Sequence, residues 1–134
     1  MGTEENKAVV RQFLSETHST GGNLDVLDEL LAPNYENLAM GGADLAGTKA
    51  GFSALIATVK DLRLDVEELV AEGDAVFARV KIVITVPDGS TTTARGLAYY
   101  RLADGRIVVN DATSVPDLMQ VLGPLMAPPP GAES

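Results

Sequence analysis

One aspartate, two tyrosines, an asparagine and a single histidine are the residues whose types and positions could do chemistry here. Asp111 shares the parity of Ile107, Val109 and Val115, the apolar residues of the last strand-like run. Alternate residues of a strand share one face, so Asp111 is expected among apolar neighbours. Desolvation there raises a carboxylate's pKa, the condition for a general acid or base near neutrality. At the strand's end the same residue would only solvate a turn. Tyr100 could polarise a carbonyl with its phenol, or be a core tyrosine with its hydroxyl at the rim. Asn37, between Tyr35 and Ala39, could hydrogen-bond a substrate oxygen or simply finish a strand. His18, at the end of an apolar stripe near a glycine pair, reads as a helix cap whose imidazolium would complement the helix dipole.

The elements that must position these residues follow from hydrophobic period. Val9, Val10, Phe13 and Leu14, with Thr17, recur at helical spacing, and Gly21-Gly22 is expected to end that helix. Asn23 can cap a second, short helix carrying Val26, Leu27, Leu30 and Leu31, which Pro33 closes. Residues 34–40 read as a strand. Thr48 is expected to cap a third helix with Phe52, Leu55, Ile56, Val59 and Leu62 along one stripe. The period then changes to two: Leu62, Leu64 and Val66 alternate with charged residues. Three more such runs follow, separated by Glu72-Gly73-Asp74, Pro87-Asp88-Gly89-Ser90 and Asp104-Gly105, which suit antiparallel hairpins. Val76, Ala78, Val80, Ile82 and Ile84 face inward on one strand, and Gly96, Ala98, Tyr100 and Leu102 on the next. A last short helix starts at Pro116-Asp117. Helices first and a four-stranded meander afterwards argue an α+β fold rather than a parallel βαβ sheet.

Composition narrows the function classes. The chain has 134 residues, enough for one domain; residues 1–127 are expected to form it and 128–134 a Pro-rich tail. With no cysteine and one histidine, thiolate and multi-histidine metal sites are excluded, and neither metal nor cofactor is expected. The net charge of −9 disfavours nucleic acid and anionic membrane surfaces as partners. The start Met1-Gly2-Thr3-Glu4-Glu5 lacks a secretory pattern, so a cytoplasmic location is expected.

Asn23-Leu24-Asp25-Val26-Leu27-Asp28-Glu29-Leu30-Leu31-Ala32-Pro33-Asn34-Tyr35 resembles the opening of SnoaL-like polyketide cyclases. So does Asp61-Leu62-Arg63 through Glu72-Gly73-Asp74, and so does Arg95-Gly96 through Arg106-Ile107-Val108, followed by Gln120-Val121-Leu122-Gly123. The likeness runs from about residue 6 to 123. It implies a cone of curved antiparallel sheet whose mouth is closed by helices, as in the nuclear transport factor 2 and ketosteroid isomerase groups, and a homodimer. It also implies an aspartate on the last strand as the acid/base of aldol closure. Counting back from Leu122-Gly123 that position is Asp111; counting forward from Asp104-Gly105 without a gap it is Ala112. The chain departs from the family in Leu38, Val109-Asn110 and Ala98, where cyclases carry histidine, a His-Trp pair and a polar pocket residue. The expected activity is therefore proton transfer on a hydrophobic, polyketide-like carbonyl compound by a cyclase or isomerase. Asp111 would be catalytic, and Phe13, Tyr35, Asn37, Ala98, Tyr100 and Val109 would line the pocket. A non-catalytic binding or assembly module is the alternative. Epoxide hydrolysis ranks last, because Arg79 lies on the outer parity. Phe77 and Val83 on that outer face suit a dimer contact.

Overall fold

A computed structural model describes residues 2–126. The Pro-rich tail expected at 128–134 lies outside them. Helix α1 (Thr3–Thr17) carries Glu4 and Glu5 in its first turn, where the helix dipole favours acidic side chains. It buries Val10, Phe13, Leu14 and Thr17. It stops at His18, ahead of the glycine pair. Gly22 is required for a different reason from the one expected. A Cβ there would stand 2.0 Å from the Glu16 carbonyl oxygen, so the chain folds back too closely for any side chain.

Asn23 caps a 3-10 turn, Leu24–Val26, by accepting from the Asp25 amide, and α2 (Leu27–Leu30) continues it. Strand β1 (Leu31–Asn37) starts three residues before the expected 34. Pro33 therefore sits inside an edge strand, where a missing N–H is tolerated, instead of closing the helix. Helix α3 (Leu45–Thr58) is capped by Asp44, whose carboxylate accepts from the Gly47 amide at 2.8 Å. Thr48 lies one turn inside it and is fully buried, so the expected cap at Thr48 is displaced to Asp44.

The meander forms as read: β2 (Asp61–Glu72), β3 (Ala75–Thr85), β4 (Thr91–Ala103) and β5 (Arg106–Val115) pair antiparallel in sequence order. Gly73 and Gly89 take left-handed φ values of 57° and 92° in two of the connecting turns, which side chains adopt only with strain. Strand β1 joins the far side of β5 in parallel, giving the order β1-β5-β4-β3-β2. Helix α4 (Leu118–Met126) is the last of the described elements. The inner face of β3 and β4, Val76 through Ile84 and Ala94 through Leu102, packs against α1 and α3 to make the core. Among the described residues no helix is long and apolar enough to cross a membrane.

One irregularity in this sheet governs the site. Between β4 and β5 the register shifts: Leu102 faces Ile107, whereas Arg101 faces Val109, leaving Val108 as an extra residue. A bulge of this kind inverts the facing of everything beyond it. Ile107 points inward, and so do Asn110, Ala112 and Ser114, opposite Tyr100, Ala98 and Gly96.

Candidate active site

The core leaves a cavity of about 280 Å³ between the inner sheet face and helices α1, α3 and α4. That is close to the lower end of the roughly 300–1,000 Å³ usual for ligand pockets. Leu14, Phe52, Leu55, Leu64, Val80 and Ile82 are among its apolar lining. Gly96 in its floor stands where a Cβ would meet Val80 at 2.9 Å, so glycine keeps this part of the wall low. Ser114 ties the last strand to α4: its hydroxyl donates to the Pro116 carbonyl at 3.1 Å and accepts from the Leu118 amide at 3.2 Å. That link brings Asp117 and Leu118 to the cavity.

The polar groups of the floor lie in one row across three strands. Asn37 of β1 is paired with Asn110 of β5, which is paired with Tyr100 of β4. All three line the cavity and all are at least 96% buried. Behind them Asn110 Nδ2 donates to the Tyr35 hydroxyl at 3.2 Å. Burial raises the Tyr35 pKa, offset in part by the hydrogen bond from Asn110. Tyr100 is held far above the ordinary phenol range by burial and by its neighbour Tyr35, so it stays a proton-bearing donor. The Oδ1 atoms of Asn37 and Asn110 and the Oγ1 of Thr48 are buried without a hydrogen-bond partner.

His18 enters from the end of α1. Its ring packs edge-on against Phe52, with centroids 5.0 Å apart, and it lines the cavity. The Thr17 hydroxyl donates to the Phe13 carbonyl at 2.7 Å, which commits its single proton. At 2.8 Å from His18 Nδ1 the same oxygen is placed to accept. That arrangement assigns the ring proton to Nδ1 and the lone pair to Nε2. Burial lowers the His18 pKa to about 4, with the Leu14 carbonyl pulling weakly the other way. The imidazolium cap expected from the sequence is thus a neutral imidazole in the cavity.

The expected site is partly reassembled. Asn37, Ala98 and Tyr100 line the cavity as expected. Phe13 and Tyr35 are buried one layer behind it; Phe13 touches Tyr100 edge-on at 5.8 Å. Val109 pairs with Arg101 and Glu36 and is off the cavity wall. Asp111 is exposed, opposite Tyr99 on the outer face. Its inward placement is overturned by the bulge at Val108. Ala112, reached by the ungapped count, is the residue on the cavity wall. Asn110 and Ser114 carry no sequence signal, since the parity of β5 pointed the other way; Asp117, beyond β5, was read only as the start of the last helix. A wider hollow of about 600 Å³ lies outside the cone, with Asp74, Arg101, Asp104 and Arg106 among its lining. Its charges are mixed and solvated. Among the described residues no group of three or more acidic or histidine side chains could hold a metal.

The model of the SnoaL-like domain matches residues 10–110. The chain belongs to the SnoaL-like domain family. Among curated proteins none matches. Solved structures do. A Jannaschia sp. CCS1 protein designated a SnoaL-like polyketide cyclase is 20% identical, with 95% of each chain covered and a TM-score of 0.75. IdmH from Streptomyces antibioticus, designated a polyketide cyclase, is 25% identical over 87% of this chain and 97% of its own, with a TM-score of 0.74. A Catenulispora acidiphila protein of ketosteroid isomerase-like fold, solved with trimethylamine, is 17% identical over 90% and 93%, with a TM-score of 0.69. The SnoaL-like fold of this chain is the cone of sheet and helices anticipated from its sequence.

Proposed function

We propose that this SnoaL-like chain is an isomerase or cyclase that binds a neutral, largely apolar carbonyl compound and moves a proton on it without a cofactor, with His18 in place of Asp111 as the acid/base. The observation that carries the reading is the neutral imidazole whose Nδ1 proton is committed to Thr17, set in a mostly apolar cavity. Nε2 takes a proton from the carbon next to the carbonyl, and the electron pair moves onto the carbonyl oxygen. The Tyr100 phenol hydrogen-bonds that oxyanion. The imidazolium then returns its proton to the enolate at another carbon, or an electrophilic carbon closes a ring there and the proton passes to the new alkoxide. A base with a pKa near 4 is fully free at neutral pH, and its conjugate acid gives the proton back readily. In ketosteroid isomerase a base of about 4.6 suffices beside a strong oxyanion hole. The similarity to structures designated polyketide cyclases supports a hydrophobic carbonyl substrate; a cytoplasmic location and a homodimer joined through the outer sheet face are part of the same proposal.

Ala112 favours a second reading, a binding module that has lost its chemistry, because the resemblance puts the cyclase carboxylate at 111 or 112 and only 112 lies on the cavity wall. Deuterium exchange at the α-carbon of 2-tetralone, followed by proton NMR in D2O, separates the two. The enzyme reading expects catalysed exchange, a fall of roughly 10²–10⁴-fold in His18→Gln, and no change in Asp111→Asn. Exchange at the buffer rate with wild-type protein would leave the binding module.

A further inference from the structure

We infer that Met40 is the specificity-determining residue of the cavity: seated on Gly51, its thioether limits the ligand to a bicyclic carbonyl compound, and it is the part of the wall that can yield to a larger one. The inference rests on the proposed ligand cavity but not on the chemistry of His18. An apolar cavity of about 150 Å³ takes a single benzene ring. The roughly 280 Å³ found here therefore takes a bicyclic frame and not a tricyclic one.

Val80, Ile82 and Ala98 on the sheet and Phe52 and Leu55 on α3 line the cavity as buried side chains, held by their packing. Met40 is different. It ends a 3-10 turn, Leu38–Met40, between β1 and α3, and it is 38% exposed while lining the cavity. A side chain that touches both solvent and cavity stands at the mouth. Methionine is unbranched and rotates about three bonds, so it fills an irregular gap and gives way easily. The backbone beneath it is held. The Asn37 amide donates to the Ala43 carbonyl and the Gly42 amide to the Asn37 carbonyl, both at 2.8 Å. The turn is thus tied at its base, and the side chain is what moves. Its seat is Gly51, inside α3 and on the same wall. A Cβ on Gly51 would overlap the Met40 methyl. Glycine within a helix costs stability relative to alanine, and here it makes room for the thioether. Lying on that bare turn of helix, the thioether narrows the mouth; rotated toward water, it adds its own volume to the cavity.

The test compares 2-acetylnaphthalene with 2-acetylanthracene, which keeps the ketone and adds one ring, by equilibrium dialysis. The chain has no tryptophan, so the near-ultraviolet absorbance of either probe is read clear of the protein. Wild-type protein is expected to prefer the naphthyl ketone. Met40→Ala should move the affinity ratio about tenfold toward the anthryl ketone, equivalent to 1.4 kcal/mol. Leu38→Ala, on the same turn but off the cavity wall, should leave the ratio unchanged. A wild-type preference for the anthryl ketone, no shift in Met40→Ala, or equal shifts in both variants would overturn the role given to Met40. The seat has a check that needs no ligand. Gly51→Ala should raise the urea midpoint when Met40 is already replaced by alanine, and should not raise it in the wild type. An equal rise in both backgrounds would show that the thioether does not lie on Gly51, and the inference would fall. Binding of neither probe to any of these proteins would overturn it together with the ligand cavity. A shifted ratio without exchange of 2-tetralone would sink the proposed reaction and leave Met40 as the size filter; catalysed exchange with no shift would do the reverse.

Discussion

His18 takes up a proton at a pH of about 4 in the folded chain, against 6.5 for a free imidazole, because burial between Leu14, Thr17 and Phe52 strips its water. The other titratable groups lining its cavity are Tyr100 and Asp117. A lowered folded pKa means that, as the pH falls from 6.5, the unfolded chain binds a proton that the folded chain refuses. Stability is therefore full above about 6.5, is lost as the pH falls toward 4, and loses nothing more from this residue below that. The shift corresponds to about 3 kcal/mol, reduced to about 2 kcal/mol by the ring's partial contact with solvent. Urea unfolding at pH 7, 5.5 and 4.5 should show this slope, and His18→Gln should remove it. A variant as acid-sensitive as the wild type would mean that His18 is already charged in the fold. Such a result would also remove the base from the proposed reaction.

At the scale of elements, the α1 turn makes a prediction that involves no ligand. Gly22→Ala puts a methyl group against the Glu16 carbonyl, where the nearest atoms are backbone and cannot rotate away. The expected loss is about 1–3 kcal/mol, read as a lower urea midpoint; an unchanged midpoint would show that the turn can open. The same turn illustrates what the sequence discloses. Glycine after an apolar stripe marked the end of a helix, but a cap and a close approach leave the same letter, and only the packing tells them apart. The meander was legible because two-residue alternation over β3 and β4 is unbroken: Val76 to Ile84 and Ala94 to Leu102 are all inward. Strand β5 was legible as a strand and illegible in its facing. Val108 adds one residue between Ile107 and Val109, and nothing in the run Ile-Val-Val marks which valine is the extra one. The apolar parity thus named Asp111 and Val109, while the cavity received Asn110 and Ala112. A bulge is set by how a strand must curve against its neighbours, a property of the sheet that a single strand's letters do not carry.

For the whole molecule, the outer face of the sheet is the surface left unexplained by the monomer. Val70, Phe77 and Leu97 are 53%, 51% and 60% exposed. Val70 lies across from Phe77 on β2, and Tyr99 across from it on β4, where the two rings meet at 5.1 Å. Exposed apolar side chains scattered singly are ordinary, but a contiguous patch marks a contact surface. Four of the chain's ten basic residues, Arg79, Lys81, Arg95 and Arg101, lie on this face of β3 and β4. Arg79 and Lys81 pair there with Glu67 and Asp65 of β2 at 3.7 and 3.8 Å, and Asp111 lies beside Tyr99, so the charges around the patch are mixed and do not set one copy against another. The patch supports the proposed homodimer, and it makes a salt prediction. Two copies of net charge −9 repel, and added salt screens that repulsion beyond about 10 Å at 0.1 M, leaving the apolar contact intact. Light scattering should then give twice 14.0 kDa, with dissociation at low salt and tighter pairing as salt rises. Phe77→Glu combined with Leu97→Glu should give monomers at every salt concentration while the far-ultraviolet spectrum is unchanged, since both side chains already face water in the single chain. A double variant that remains dimeric would move the interface off this face. A wild-type mass of 14.0 kDa at high salt would mean that the face meets something other than a second copy.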